Sequence, residues 1–177
     1  MKILLDAGHG GKDPGAVSIG NIEEEDIALD VILKFGKLLE SELGFEVDYT
    51  RIDDTYISPS ARLVKINNYN PDVFISVHCN SSSNSQACGV ETFYRDEYDL
   101  ELATCVQEAL IEATGLKDRG IKSDVEDLGR RLAILNNLTV PAILVEIGFI
   151  SNPEDLRIIQ NTDLIAEAIM EGINRWA

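Results

Sequence analysis

Apolar and polar positions along the chain follow two periods in alternation. Lys2 to Leu5 form a short apolar run that leads into DAGHGGKDPGA. From Glu24 onward, Ile27, Val31, Phe35, Leu38 and Leu39 recur on one helical face, and Gly44 follows as a C′ glycine. Phe45 to Thr50 alternates as a strand does. Ser58 and Pro59 then supply an N-cap and an N1 proline for a helix carrying Leu63, Val64 and Ile66. VFISVHCN, after Asp72, is nearly all apolar, as expected of a strand covered on both faces. Gly89 to Arg95 reads as another strand, Leu100 to Thr114 as a helix ended by Gly115, and Ala142 to Phe149 as a further buried strand. Two helical stretches, Pro153 to Gln160 and Leu164 to Trp176, complete the pattern.

Strands that alternate with helices predict an α/β fold with a largely parallel, twisted central sheet and helices on both faces. The 177 residues are 45% hydrophobic. A chain of this length buries roughly 70% of the surface it exposes when unfolded. The polar run Asn80 to Gln86 lies between two strands and reads as a surface loop rather than a linker, so one domain is expected over residues 1–177. Sheets of this kind bind ligands beyond the carboxyl ends of their parallel strands, where the connecting loops open.

Net charge is −16, which disfavours a nucleic-acid partner because affinity for phosphate backbones comes from clustered Lys and Arg. No apolar run reaches the length of a bilayer-spanning helix, so membrane insertion is not expected. No signal peptide is evident. The three cysteines, Cys79, Cys88 and Cys105, are too few and too irregular for a disulfide framework and are expected to be free.

The chain has only two histidines, and both end strands. His9 follows the first strand among Gly8, Gly10 and Gly11, and His78 closes VFISV. Glu146 sits near the end of AILVE. If these strands are parallel, all three residues converge on one rim. Two histidines and a carboxylate with an open position are the usual equipment of a catalytic zinc site, and a second carboxylate can move the proton. Glu146 and the acidic cluster Glu23 to Asp26 are available for these two roles. A carboxylate within AILVEIGFI is costly to bury alone; a metal site or a salt bridge to Arg130 or Arg131 would offset the cost. GHGGKD matches neither nucleotide-binding glycine motif.

With these residues in place, the chain resembles the zinc-dependent N-acetylmuramoyl-L-alanine amidases of the Amidase_3 type, found in bacterial cell-wall hydrolases and phage endolysins. DAGHGGKDPGA, the glutamate entering the first helix, Thr50-Arg51, Ser60-Ala61-Arg62, VFISVHCN, GVETFY and PAILVEIGFISN follow the family's order nearly end to end. The resemblance implies zinc ligands at His9, Glu24 and His78 and a catalytic glutamate at Glu146. Glu24 is selected by counting back from Asp26 and the IALD that follows. Cys79 stands where the family often has alanine. Adjacent strand residues face opposite sides, so Cys79 is expected to point away from a metal held by His78.

The implied reaction is zinc-dependent hydrolysis of the amide joining the lactyl group of N-acetylmuramic acid to the L-alanine of the peptidoglycan stem peptide. Asn80, two positions beyond His78, is the expected substrate contact. Two other readings use the same residues: a non-catalytic wall-binding module, and a non-haem Fe(II) enzyme. The acidity suggests a catalytic part that works with a separate wall-binding domain, because Gram-positive walls carry anionic polymers. Action at the cell wall is expected, after secretion as part of a longer precursor or release from the cytoplasm as a phage endolysin.

Overall fold

The computed structural model describes every residue from Met1 to Ala177 except Asp124, Glu126, Arg130 and Asn137. Its elements run β1 (Lys2–Ala7), α1 (Glu24–Leu43), β2 (Glu46–Tyr49), α2 (Pro59–Tyr69), β3 (Val73–Asn80), β4 (Val90–Tyr94), α3 (Leu100–Thr114), β5 (Asp118–Ser123), β6 (Ala142–Phe149), α4 (Pro153–Ile159) and α5 (Thr162–Trp176). The six strands form one sheet in the order β2-β1-β3-β6-β4-β5. Every neighbouring pair is parallel except β4 with β6, which is antiparallel.

Local signals act where the sequence places them. Ser58 accepts a hydrogen bond from the Ala61 N–H at 3.2 Å, with Pro59 in the first turn. Gly44 and Gly115 end α1 and α3 in the left-handed conformation, their N–H groups returning to the Leu39 and Ile111 carbonyls. β5 is absent from the hydrophobic pattern. Its sequence, DRGIKS, is polar and only partly buried, because it is an edge strand held by backbone pairing to β4 rather than by an apolar face.

The helices divide unequally between the two faces. Ile3, Leu5, Ala7, Ile75, Val77, Ile143 and Val145 point to the face covered by α1, α3 and α5, and form the larger core with Val31, Phe35, Val106 and Ile169. α5 packs against both α1 and α3. Leu4, Phe74, Phe93 and Leu144 point to the other face, where Ile66 of α2 and Leu135 and Leu138 of the 132–140 segment cover them. Burying a side chain such as Phe35 or Phe74 completely contributes about 1.5–3 kcal/mol. At the carboxyl ends of the strands this second face turns polar. Asp6, Ser76, His78, Glu146 and Glu91 lie there, joined in register as Asp6 with Ser76, His78 with Glu146, and Glu91 with Glu146.

β1 connects outward to β2 through α1, and the chain returns through α2 to β3 on the other side of β1. A crevice therefore opens beyond the carboxyl ends of β1 and β3, where the chain's direction across the sheet reverses.

Candidate active site

His9 lies two residues beyond the end of β1, with a backbone φ of 59°. Two glycines let its loop close over the site. A Cβ on Gly8 would lie 2.3 Å from the His78 ring, and one on Gly15 would lie 2.6 Å from a Glu24 carboxylate oxygen, where φ is also positive at 68°. Glu24 occupies the first turn of α1 and reaches both rings. Its Oε1 is 3.1 Å from His9 Nε2 and 3.0 Å from His78 Nδ1. The two imidazoles stand edge to face, their centroids 5.1 Å apart. One donor atom from each of the three residues falls within 4.8 Å of the others. Glu23 caps the helix without a side-chain bond, and Glu25 turns to Arg51, so Glu24 alone of the three glutamates joins the histidines.

Glu146 stands beside this cluster on the neighbouring strand, as the register partner of His78. Its Oε2 is buried and accepts no hydrogen bond among the described residues. Arg130 lies outside those residues, and Arg131 lines a surface hollow with Arg95 and Asp96. Cys79 is buried in the core on the opposite face, as strand alternation requires, and all three cysteines are free.

Two imidazoles and a carboxylate around one point, with a second carboxyl alongside, suit metal-assisted hydrolysis. The sequence profile of N-acetylmuramoyl-L-alanine amidase (Amidase_3) matches residues 3–175. The chain belongs to this family. The endolysin of Bacillus phage SPP1 is 33% identical to this amidase over 182 residues, which cover 97% of this chain and 64% of the phage protein. The "Probable cell wall amidase LytH" of Staphylococcus aureus is 32% identical over 177 residues, 97% of this chain and 56% of the other. The catalytic domain of CwlV, an N-acetylmuramoyl-L-alanine amidase from Bacillus (Paenibacillus) polymyxa var. colistinus, matches with a TM-score of 0.90 at 32% identity, over 99% of this chain and 97% of that one. The chain thus spans roughly half to two thirds of the length of those two curated relatives.

The electrostatics of the amidase site suit a cation. The hydrogen bond that His9 donates to Glu24 is the largest influence raising His9, to about 9, with Asp13 adding to it and burial opposing. Burial works against a charged His78, yet Glu24 and Glu146 raise it. Burial would also raise Glu24, but hydrogen bonds from His78 and His9 hold its carboxylate well below the usual range. The same negative field that draws protons to both rings would draw a dication, with protons as its competitors. Burial pushes Glu146 up to about 7, with the Glu24 and Glu91 carboxylates adding and the two histidines opposing. A carboxyl poised near neutrality is suited to taking and returning a proton.

Around these groups lies a supporting network that the pattern of apolar positions does not reveal. Asp13 Oδ2 sits 3.0 Å from His9 Nδ1 and fixes the ring so that Nε2 faces Glu24. Buried Arg51 donates to the carbonyls of Ala7, Gly8 and Glu25. Buried Arg62 donates to the carbonyls of Ala7 and His9 and pairs with Asp6. Asp6 also accepts from Thr50 and Ser76, each at 2.6 Å. The Thr50-Arg51 and Ser60-Ala61-Arg62 motifs were legible as family features; what they hold is the backbone that carries His9. Asp13 gives no signal in sequence beyond its place in a glycine-rich loop.

Asn80 lies on the same rim, but its amide donates to Glu91 and its carbonyl accepts from the Ser81 N–H. Glu91 also binds Arg119 and Lys122. On the other side of His78, a cleft of about 180 Å³ opens between His9, Tyr56, Pro59, Leu132 and Ile134.

Proposed function

We propose that His9, Glu24 and His78 hold a catalytic zinc ion, and that Glu146 is the acid/base in hydrolysis of the amide between the lactyl group of N-acetylmuramic acid and the L-alanine of the stem peptide. The observation that carries this reading is the convergence of the three donor atoms beside a buried carboxyl with an unpartnered oxygen. The donor set fits the ion: two neutral imidazoles and one carboxylate leave a position open, and Asp13 orients one imidazole from behind. When bound, zinc would polarise the scissile carbonyl and make a water molecule more acidic. Glu146 then removes the proton from that water and delivers it to the departing amine, a poor leaving group until protonated. The cleft beside Tyr56 and Leu132 lies on the far side of His78 from Glu91, where the muramoyl part of the substrate would sit. The domain, residues 1–177, would act on peptidoglycan at the cell wall. The greater length of the SPP1 endolysin and of LytH supports a separate wall-binding partner domain.

Digestion of purified peptidoglycan tests this directly. New N-terminal alanine should appear with the zinc-loaded protein, disappear on chelation and return with zinc. Alanine release that persists without metal, or none from zinc-loaded folded protein, would refute it. Restoration by Fe(II) but not by zinc would favour the iron reading.

A further inference from the structure

Beyond Glu146, the polar face of the sheet continues as a row. His78 on β3 is followed by Glu146 on β6 and Glu91 on β4, the last two being register partners. From edge strand β5, Arg119 and Lys122 lean back onto Glu91. Arg119 Nε is 2.7 Å from Glu91 Oε2, and Lys122 Nζ bonds the same oxygen. Each cation is also braced on an aromatic ring: Arg119 lies 4.9 Å from the Phe149 centroid and Lys122 lies 5.9 Å from that of Phe93. Glu91 is nearly buried, whereas the cationic side chains remain 28% and 26% exposed. Glu91 is the carboxylate that both cations bond, and Glu146 beside it is buried, so the part of this row that faces solvent is cationic, in a chain with 31 acidic and 15 basic residues.

The direction of the reaction says what would meet that charge. His9 and Glu24 stand on the β1 side of the site, and Glu146 hands its proton to the amine. The peptide part of the substrate therefore leaves past β6 toward β4 and β5. Adjacent strands are about 4.8 Å apart, so β5 lies roughly 10 Å beyond β6, and the two side chains reach back across part of that gap. A peptide covering about 3.3–3.6 Å per residue arrives there within its second residue. Neutralising Glu91 would require one cation; the second has Glu91 already compensated and a guanidinium nitrogen, Arg119 Nη2, with no partner among the described residues.

We infer that Arg119 and Lys122 form a subsite for a carboxylate on the residue that follows the alanine of the stem peptide, so that the enzyme favours stems with this group free over stems with it amidated. The inference rests on the proposed amidase reading for the direction in which the peptide runs. A charge-assisted hydrogen bond to a carboxylate is strong enough to give about a tenfold preference or more.

The test uses two synthetic muramoyl peptides that differ only in whether the second residue's carboxyl is free or amidated. The zinc-loaded wild-type protein should hydrolyse the free acid with a kcat/KM about tenfold higher or more, the difference lying in KM. In Arg119→Gln/Lys122→Gln protein the preference should collapse through loss on the free acid alone. Equal rates in the wild type, or a preference that survives in the variant, would overturn the inference. Should the variant not fold, ionic strength decides: a preference made by exposed cations shrinks as salt rises, and one that does not shrink rejects this subsite. If neither peptide is cleaved, the amidase reading has failed separately. Calorimetric binding of the two peptides to the wild type then still reads the preference, and equal affinities would overturn it.

Discussion

His78 and Glu146 are direct partners across the parallel β3–β6 pair, so both side chains project from the same face of the sheet into the site. The register delivers a metal-ligating type of side chain and a proton-carrying one side by side, without any loop needing to move.

Glu146→Gln should therefore separate chemistry from metal binding. The amide keeps the shape but can neither take up nor release a proton in the reaction, and turnover should fall by ~10²–10⁴-fold or more. Zinc stoichiometry should remain at the wild-type value. Folding stability should hold or rise, because a buried carboxyl whose Oε2 has no hydrogen-bond partner among the described residues is replaced by a group that cannot ionise. Kinetics, metal analysis and thermal unfolding of one preparation check all three, and wild-type turnover in the zinc-loaded variant would remove Glu146 from the mechanism.

Asp13 contacts His9 on the ring nitrogen that faces away from Glu24. Asp13→Ala should weaken zinc binding by roughly 10–100-fold, read by competition with a chelator, while the melting temperature of the metal-free protein changes little. Asp13→Asn retains a hydrogen-bonding side chain and should recover part of the affinity. Unchanged affinity in the alanine variant would show that the loop backbone alone orients His9.

Much of this organisation was legible in the sequence. β3 and β6 are apolar on both faces over most of their length, α1 and α3 end at glycines, and both histidines lie at or just past strand ends, so a converging rim follows once β1, β3 and β6 are parallel, as they are. Cys79 faced away, as alternation requires. What stayed hidden depends on contacts between segments distant in the chain. β5 has no apolar alternation because one edge faces solvent. β4 looks like any other buried strand, and only its pairing shows that it runs against β6. Asn80 reads in the sequence as a substrate contact, and its tie to Glu91 joins positions whose spacing carries no periodic signal.

Arg62 should be a point of failure for the fold as well as for the site. It pairs with Asp6 in the interior and holds the carbonyls of Ala7 and His9. Arg62→Met would leave the Asp6 carboxylate with only its Thr50 and Ser76 donors. Breaking one side of a buried pair costs about 3–5 kcal/mol, and chemical denaturation of the metal-free protein should show a loss of that order. Pairing the change with Asp6→Asn should return part of it, since the uncompensated charge is then gone; a double variant no more stable than Arg62→Met would place the loss in the His9 loop carbonyls instead.

Glu91 gives the protein an acid-sensitive element separate from the proposed metal ligands. Burial would raise its carboxyl, but hydrogen bonds from Lys122 and Arg119 hold it below the ordinary value of 4.5. A carboxyl depressed by folding binds fewer protons in the native state than in the unfolded one. Its contribution is therefore complete above the unfolded value and is lost as pH falls through the lower native value. Wild-type and Glu91→Gln proteins should then differ most in unfolding free energy at neutral pH, with the variant less stable, and should converge on acidification below 4.5. Denaturant titrations of both proteins across that range measure the gap. A gap that stays constant with pH would mean that the amide serves Arg119, Lys122 and Asn80 as well as the carboxylate does, and that packing rather than charge sets the contribution of Glu91.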